Sequence, residues 1–547
     1  GGIVRHANRA LAGVQGAPGA HGVIEALGER GREALRERLE AGDWAFNPLI
    51  HIPIGMGKIH EHKLHDWRYM TEPNEHLNGR RLHIKRGKVL GGSSSVNVMA
   101  YTRGHPDDYD RWSRNGATGW SHAEVLPYFK RAETWEMGAS SWRGGDGPLG
   151  TQYAKTKDPI YDAWIEAAND MGLPVTDDYN GPQPIGFSKG QYTIRNGRRS
   201  SSANAYLRPV KGRPNLTVRT RAHATGILMD GTTAKGVEYL RRGKTVTAKA
   251  DAEVILCGGV FNTPQLLMLS GIGPAAHLKE FGINCLSDLP VGQNLQDHLV
   301  ASNFWTRPTN TSKFREDLRY DRVAISMIRA YLFGTGPGTV VPGGMHAFLK
   351  SAPGVEAADW EFLFRGTSLN ANPWFPGIKK KFEDGYAIRC GIVHPKSRGE
   401  ARLRSINPLD PLVLDFNFLS HPDDIVSLRE GLKVARECAN HSALAPYRGH
   451  ELTPGPEVAS DADLDEFIRN TVVTIEHPAS TCPMGTGRDC VLDPDMRVRG
   501  IDRLRVVDGS AMPDLTSAHI NSTIMMMAEK ASDMILGREA LAAEQVN

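Results

Sequence analysis

Three short runs that end in glycine and lead toward a helix constrain the fold of this chain most strongly. In residues 252–259 an apolar strand reaches Gly258-Gly259, and we predict that Thr263 caps the next helix with Pro264 as its first residue. The other two runs are residues 88–97, where a double glycine precedes three serines able to cap a helix, and residues 504–509. Repeated strand, glycine turn and helix N-terminus predict an α/β sheet that binds a phosphorylated cofactor at its carboxyl edge.

The last of these runs leads into a helix with one apolar face. The spacing of that face predicts a buried stripe, made of Ile524, Met527, Ala528, Ala531, Met534 and Ile535. Residues 120–195 and 300–475 carry most of the irregular sequence. We expect them to form a second domain inserted into the first.

Composition limits the partners and the location of the protein. Among 547 residues, 65 Lys+Arg nearly balance 62 Asp+Glu, which argues against nucleic acid or an anionic membrane as the main partner. The chain has no apolar run of about 18 residues, so no membrane-spanning helix is expected, although a peripheral contact with the inner membrane stays open. Its 6 cysteines form no CxxC pair, and no signal-peptide pattern opens the sequence. These features predict a cytoplasmic protein.

An ordinary dinucleotide fingerprint is missing. Residues 145–150 match the letters G-x-G-x-x-G, but no apolar strand precedes them and Pro148 interrupts the turn. We predict a surface loop there.

Six segments, in order, resemble signatures of the glucose-methanol-choline (GMC) flavin oxidoreductases. They are residues 87–97 with their continuation to residue 109, residues 259–273, 291–298, 394–399 and 477–482, and the C-terminal segment 508–522. Within the family, the chain is similar to bacterial choline-dehydrogenase-like alcohol dehydrogenases. The resemblance implies a Rossmann-like FAD-binding domain with an inserted α+β substrate domain. It also implies oxidation of an alcohol to an aldehyde or ketone by hydride transfer to FAD.

The resemblance also implies the domain boundaries. The FAD-binding domain would comprise residues 1–118, 197–300 and 480–547. The substrate-binding domain would comprise residues 119–196 and 301–479.

The N-terminus departs from the family pattern. Glu40, in Leu39-Glu40-Ala41-Gly42, matches the carboxylate that holds the adenosine ribose, but residues 31–38 before it are typical of a charged helix. The family's first strand and first two glycines have no counterpart. We therefore expect a truncated or frame-shifted sequence over about the first 40 residues, or else a badly reduced affinity for FAD.

Two histidines match the family's active-site positions, His477 and His519. A neutral imidazole can accept the hydroxyl proton while the carbon gives up its hydride. Because two close imidazoles titrate as a pair, the base is the one that stays neutral. We assign that role to His477 and the positioning of the alkoxide to His519.

The resemblance implies a further set of FAD-binding residues. Asp508 and Gly509 would contact the ribityl and phosphate part, and Ala224 the adenine. Asn521 and Ser522 would begin a helix aimed at the pyrimidine edge of the flavin, although simple capping is an alternative role for them. The remaining members belong to the first signature: Val89, Gly91, Asn97, Val98, Met99 and Ala100. Some relatives attach FAD through a histidine where this chain has Val96, so we predict non-covalent FAD.

The cluster His60-Glu61-His62-Lys63-Leu64-His65 has an HxHxxH spacing that can bind transition metals. A loop bordering the substrate cavity is the alternative that we favour, and we predict no metal site.

The sequence thus predicts an FAD-dependent alcohol dehydrogenase or oxidase, with a small alcohol as substrate and a quinone or oxygen as electron acceptor. Three alternatives remain at this point. They are a hydroxynitrile lyase on the same scaffold, a flavin-deficient inactive relative, and an NAD-dependent dehydrogenase.

Overall fold

The computed structural model describes residues 23–27, 36–308, 311–368 and 370–546. The α-helices in this part of the chain are α1 (Pro48–His51), α2 (Met56–Glu61), α3 (Pro106–Arg114), α4 (His122–Ala132), α5 (Ile160–Asp170), α6 (Gly259–Leu269), α7 (Ala275–Glu280), α8 (Phe314–Asp317), α9 (Tyr320–Phe333), α10 (Pro422–Asn440), α11 (Asp461–Thr471) and α12 (Asn521–Ile535). None of these helices is long and apolar enough to cross a bilayer.

The β-strands of the same residues are β1 (Val23–Leu27), β2 (Arg36–Glu40), β3 (Tyr69–Met70), β4 (His83–Ile84), β5 (Glu133–Trp135), β6 (Leu149–Tyr153), β7 (Gly186–Lys189), β8 (Gln191–Tyr192), β9 (Ile194–Arg195), β10 (Arg198–Arg199), β11 (Leu216–Thr220), β12 (His223–Asp230), β13 (Thr233–Arg241), β14 (Lys244–Lys249), β15 (Val254–Cys257), β16 (Leu299–Thr306), β17 (Met345–Leu349), β18 (Trp360–Arg365), β19 (Gly385–Ile392), β20 (Glu400–Arg402), β21 (Val413–Asp415), β22 (Glu451–Thr453), β23 (Val473–Thr474) and β24 (Leu504–Val506).

A five-stranded sheet in the order β11-β2-β1-β15-β24 forms the Rossmann-like part of the molecule. β2 runs parallel to β11, and β15 parallel to β24, whereas β1 is antiparallel to both of its neighbours. A first strand, which the sequence did not lead us to expect, therefore fills the gap between β2 and β15. Because it is antiparallel to them, β1 ends at the amino edge of its neighbours, opposite the edge at which phosphates bind.

The charged segment before Glu40 is a strand where it is described, so the predicted helix is wrong for residues 36–38, while residues 31–35 lie outside the described part. The charges of β2 are matched across strands: Glu37 pairs with Arg219 on β11. A central position in the sheet thus overrides the helical propensity of Arg and Glu.

Residues 88–97 also differ from the predicted strand–helix unit. Val89 makes only an isolated bridge with Asp43, and residues 92–95 form one 3₁₀ turn. The serine hydroxyls do not cap a helix, because Ser94 and Ser95 donate to the preceding carbonyls of Gly91 and Leu90. Such local bonds compete with helix formation.

The second unit has the predicted elements with a shifted start. α6 begins at Gly259 with Gly258 as N-cap, so Thr263 is not the cap and Pro264 lies inside the helix. Proline has no N–H for the carbonyl of Val260, and the hydroxyl of Thr481 donates to that oxygen instead, at 2.8 Å. Thr263 donates to Asp508, which ties the helix to the end of β24.

The third unit confirms the predicted core helix. In α12, Ile524, Met527, Ala528 and Ala531 are buried. The burial is wider than one stripe, since every residue from Ser522 to Asp533 is buried.

The second large sheet of the molecule has seven antiparallel strands. Its order is β22-β16-β19-β18-β17-β7, and β23 also pairs with β16. One face packs on α10, where a Cβ added at Gly431 would lie 2.1 Å from the sulfur of Cys390. The opposite face carries His346, Leu363 and Arg389, which are register partners on β17, β18 and β19.

The two large sheets fall into different predicted domains. All strands of the five-stranded sheet lie in the ranges assigned to FAD binding. The seven-stranded sheet lies in the substrate-binding ranges apart from Leu299 and Val300. The boundaries themselves stay a prediction.

Candidate active site

A cavity of about 520 Å³ lies between the two large sheets. This size falls within the range of roughly 300–1,000 Å³ that small-molecule sites occupy. His477 and His519, from different predicted domains, both line it. Their ring centroids are 4.6 Å apart, so the structure brings together the two histidines that the sequence singled out.

His477 is held from two sides. Its backbone N–H donates to Asp297 at 2.8 Å, and its Nδ1 lies 3.0 Å from Nδ1 of His298. The preceding residue, Glu476, has φ 69°, a left-handed conformation that is strained for a residue with a side chain. Lys85 and Arg86 bind the Glu476 carboxylate and stabilise this conformation.

The surroundings of His477 keep its imidazole neutral. Burial lowers its pKa well below the ordinary value of 6.5, and His519 and His298 lower it further. Burial lowers the pKa of His298 to about 3. A neutral imidazole retains a lone pair that can accept a proton.

His519 is anchored by a carboxylate. Its Nε2 lies 2.8 Å from Oε1 of Glu361, and the same oxygen lies 3.0 Å from Nδ1 of His346. Burial alone would raise the pKa of Glu361, but His519 and His346 lower it well below its usual range, so the carboxylate is ionised. The backbone N–H of His519 donates to the hydroxyl of Thr102 at 2.7 Å.

His346, Glu361 and His519 are also the cluster whose chemistry could hold a metal ion. Their three ligand atoms lie within 4.8 Å of one another. Hydrogen bonds between the two imidazoles and the carboxylate account for the same geometry.

Sequence reasoning missed Glu361, His346 and His298. Glu361 could have been noticed as an acidic residue inside the otherwise apolar start of β18, Trp360-Glu361-Phe362-Leu363-Phe364. His298 ends a segment that resembles the family, but its distance of 179 positions from His477 hid the contact. The sequence around His346 indicates a strand and nothing that points to the active site.

Six of the predicted FAD-binding residues lie on the cavity wall: Asn97, Val98, Ala100, Asp508, Gly509 and Asn521. Asp508 does not present a free carboxylate, because its oxygens accept from Ser510, Gly259 and Thr263 at 2.6 to 2.8 Å. It joins the two strand ends at the carboxyl edge. Asn521 is the first residue of α12, and its side chain has no hydrogen-bond partner among the described residues.

The other predicted FAD-binding residues lie behind or beside the wall. Ser522 donates to the carbonyl of Thr102, and Met99 is fully buried with φ 66°. Gly91 has φ 88°, a conformation that favours glycine. Val89 and Ala224 are buried.

The surroundings of Glu40 show whether the chain fits the adenosine end of FAD. The residue is completely buried, with Oε1 accepting from the backbone N–H of Gly42 at 2.7 Å. Oε2 has no hydrogen-bond partner among the described residues, and burial raises the pKa of the carboxyl to about 8. An orphaned buried oxygen at the end of β2 suits a hydroxyl donor such as a ribose. The described residues therefore fit FAD at its ribose and flavin ends.

The histidines of the HxHxxH segment do not form a group of possible metal ligands in the part of the chain that the structure describes. His60 lies at the end of the helical segment α2, not in the expected loop, and its Nε2 contacts the carbonyl of Val96 at 2.7 Å. It lines the cavity, as we expected of this segment.

Comparisons with known proteins agree with this site. Family models described as GMC oxidoreductase match residues 14–300 and 395–528. The chain is 42% identical over 522 residues to the oxygen-dependent choline dehydrogenase of Brucella suis biovar 1, covering 94% of this chain and 93% of the relative.

Solved structures are similar as well. Pyridoxine 4-oxidase from Mesorbium loti has a TM-score of 0.81 at 30% identity, with coverage of 92% of this chain and 94% of that one. A formate oxidase of Aspergillus oryzae, in a structure concerned with FAD modification, has a TM-score of 0.85 at 26% identity, with coverage of 97% and 96%.

Proposed function

Because the chain belongs to the GMC oxidoreductase family, we propose that His477 removes the hydroxyl proton of an alcohol bound in the cavity. The protein is an FAD-dependent oxidoreductase that oxidises alcohols. FAD, when bound, supplies the acceptor for the hydride that leaves the alcohol carbon. The observation that carries the proposal is the adjacency of the His477 and His519 rings on one cavity wall.

The contact between His298 and His477 selects the reactive atom. Two neutral imidazoles that meet through Nδ1 atoms need one Nδ1–H and one bare Nδ1. With the proton on Nδ1 of His477, its Nε2 is bare and accepts the hydroxyl proton. His298 then carries its own proton on Nε2.

His519 orients the hydroxyl and stabilises the negative charge on its oxygen. Its Nε2–H donates to the ionised carboxylate of Glu361, which fixes the orientation of the ring. His519 also lowers the pKa of His477. The two imidazoles thereby divide the roles of proton acceptor and charge stabiliser.

The start of α12 is the proposed partner of the flavin pyrimidine edge. Asn521 supplies an unpaired side-chain amide on the cavity wall, and the helix N-terminus favours negative charge there. The capping alternative is wrong for both residues, since α12 has no side-chain cap hydrogen bond and the Ser522 hydroxyl donates to the carbonyl of Thr102.

The cofactor is proposed to be bound without a covalent bond. Val96, at the position next to Asn97, lines the cavity with a side chain that has no nucleophilic atom. Flavin released into the supernatant after acid precipitation supports this proposal; flavin that stays with the precipitated protein contradicts it.

We place the enzyme in the cytoplasm, where a quinone or oxygen would reoxidise the flavin. Free thiols at all six cysteines agree with a reducing compartment. A peripheral contact is supported by the exposed apolar side chains Ile325, Ile328, Leu332 and Phe333 of α9.

An anaerobic alcohol screen tests the function. Primary alcohols, with choline as the cationic member, are mixed with the holoenzyme, and bleaching of the flavin absorbance is followed. Bleaching supports the proposal, and later addition of oxygen or of a quinone-like dye identifies the acceptor. A lyase would leave the flavin oxidised with every alcohol.

A further inference from the structure

Two arginines project from the cavity floor. Arg365 ends β18 and Arg389 lies on β19, and both line the cavity that holds His477 and His519. Arg389 is the register partner of Leu363, two residues before Arg365 on β18. Since side chains two residues apart on a strand share a face, the two guanidinium groups lie on the same side of the sheet.

These arginines lack carboxylate partners. In the described part of the chain, Arg365 makes no hydrogen bond and no ion pair, and its electrostatic neighbours are the phenols of Tyr192 and Tyr161. Arg389 donates to the hydroxyl of Ser302 at 3.2 Å. Burial, with Arg365 as a second cause, lowers the pKa of Arg389 to about 10, which still leaves it charged at neutral pH.

The carboxylates near the cavity are committed elsewhere. Glu476 is bound by Lys85 and Arg86, and Asp508 accepts from its own loop and from α6. Glu361 is shared by two histidines. Glu361 attracts Arg389 from beyond ion-pair distance. The half-buried floor around Arg365 and Arg389 therefore carries more positive than negative charge, which a bound anion would compensate.

We propose that Arg365 and Arg389 form an anion subsite that binds a carboxylate at the far end of the alcohol substrate. This inference rests on the proposed function, because it assigns the substrate class of the same cavity. Two guanidinium groups match the two oxygens of a carboxylate. The same charges oppose a quaternary ammonium alcohol such as choline, which requires a carboxylate or an aromatic cage.

The strand geometry sets the length of the substrate. Glu361, the anchor of His519, precedes Leu363 by two residues and Arg365 by four. At the rise of a β-strand these steps correspond to roughly 7 and 13 Å. A hydroxyl and a carboxylate separated by a benzene ring, or by a chain of four to six carbons, span the interval between the histidines and the arginines.

Matched probes test the subsite. The holoenzyme is reduced anaerobically with 4-(hydroxymethyl)benzoate or with the neutral 4-(hydroxymethyl)benzamide, and with ω-hydroxy acids or their matching diols. We expect acids to exceed their neutral partners in kcat/KM by about 30-fold or more, as a desolvated charge pair would produce. Arg365→Gln and Arg389→Gln should remove this preference mainly through KM and leave the neutral alcohols within a few-fold. Arg365→Lys should restore part of it.

The controls separate failure of the subsite from failure of the function. Arg242→Gln, at an exposed arginine in the turn between β13 and β14, should behave like wild type. Bleaching by neutral alcohols or by choline, without any advantage for acids, overturns the subsite and leaves the proposed function standing.

If no alcohol bleaches the flavin, the proposed function falls and calorimetry decides the subsite. Binding of 4-methylbenzoate, but not 4-methylbenzamide, that disappears in Arg365→Gln supports the subsite. Equal or absent binding of both overturns it.

Discussion

Glu361 places a carboxylate oxygen 2.8 Å from Nε2 of His519, across 158 positions of sequence. The carboxylate is fully buried and ionised, and it faces no lysine or arginine within ion-pair distance among the described residues. A buried carboxylate of this kind fixes the orientation of the imidazole that donates to it. We therefore propose that Glu361 is a positioning residue for the reaction.

We expect Glu361→Gln to slow flavin reduction by about 100-fold, because the amide lacks the negative charge that holds His519 in one tautomer and orientation. Stopped-flow absorbance of the flavin under anaerobic conditions measures this. A purely structural role would lower the FAD content or the melting temperature without changing the pH profile of the reduction step. Glu437→Gln, at an exposed acidic residue of α10, is the matched control.

His477→Ala should slow the reduction step by about 100-fold or more, as expected for loss of a general base. The affinity for FAD should change little. His62→Ala, at an exposed histidine near the cavity, serves as control. If His477→Ala reduces the flavin at a rate within a few-fold of wild type, another group is the base.

The pH profile should reflect the lowered pKa of His477. A base works when deprotonated, so a pKa well below 6.5 keeps kcat/KM constant from pH 8 to below 6.5, with the acid limb at lower pH. Because His519 is one cause of the lowering, His519→Asn should move that limb to higher pH. A limb that stays in place in this variant means that His519 does not act on His477.

Glu40→Gln should stabilise the FAD-free protein and weaken FAD binding. The carboxyl has a pKa of about 8 when folded and an ordinary value when unfolded. The stability of the folded protein that depends on a protonated Glu40 is thus fully present below about pH 4.5 and is lost as the pH rises toward 8. Melting temperatures of apoprotein at pH 6 and 8, with a flavin fluorescence titration, measure both effects. Equal melting temperatures of variant and wild type at pH 8 would contradict this.

Glu133 anchors a buried ion cluster with Arg103 and Arg143, at 2.7 and 2.6 Å. Burial alone would raise its pKa, but these arginines lower it to about 2, so the stabilisation is present above about pH 4.5 and is lost as the pH falls toward 2. Glu133→Gln should cost about 3–5 kcal/mol in the free energy of unfolding. Urea unfolding at pH 7 measures it, with a much smaller loss expected for Glu136→Gln on the surface.

The sequence predicted the features that depend on local pattern. The strand before Gly258 is confirmed, and so is the buried face of α12 apart from Met534 and Ile535, which are partly buried. The closeness of His477 and His519, which the structure shows, was implied by the family resemblance and not by local pattern. The start of α6 was misplaced by five residues, because Pro264 is tolerated inside the helix once Thr481 bonds to Val260.

Features that depend on contacts between distant strands were missed. Glu361 stands out locally only as an acidic residue in an apolar strand, and Arg365 has no local signal, because contacts between distant parts of the chain decide their roles. The direction of β1 is a property of the whole sheet and not of the residues Val23–Leu27.

Leu363 stands on the cavity floor between Glu361 and Arg365 on its own strand, with His346 and Arg389 on either side. In our proposal, the groups that move the proton and the groups that bind the substrate carboxylate are thus fixed on one β-sheet, and the side chain of Leu363 separates them. We expect a smaller or larger apolar residue at position 363 to change which substrates the enzyme accepts while the reacting groups keep their positions.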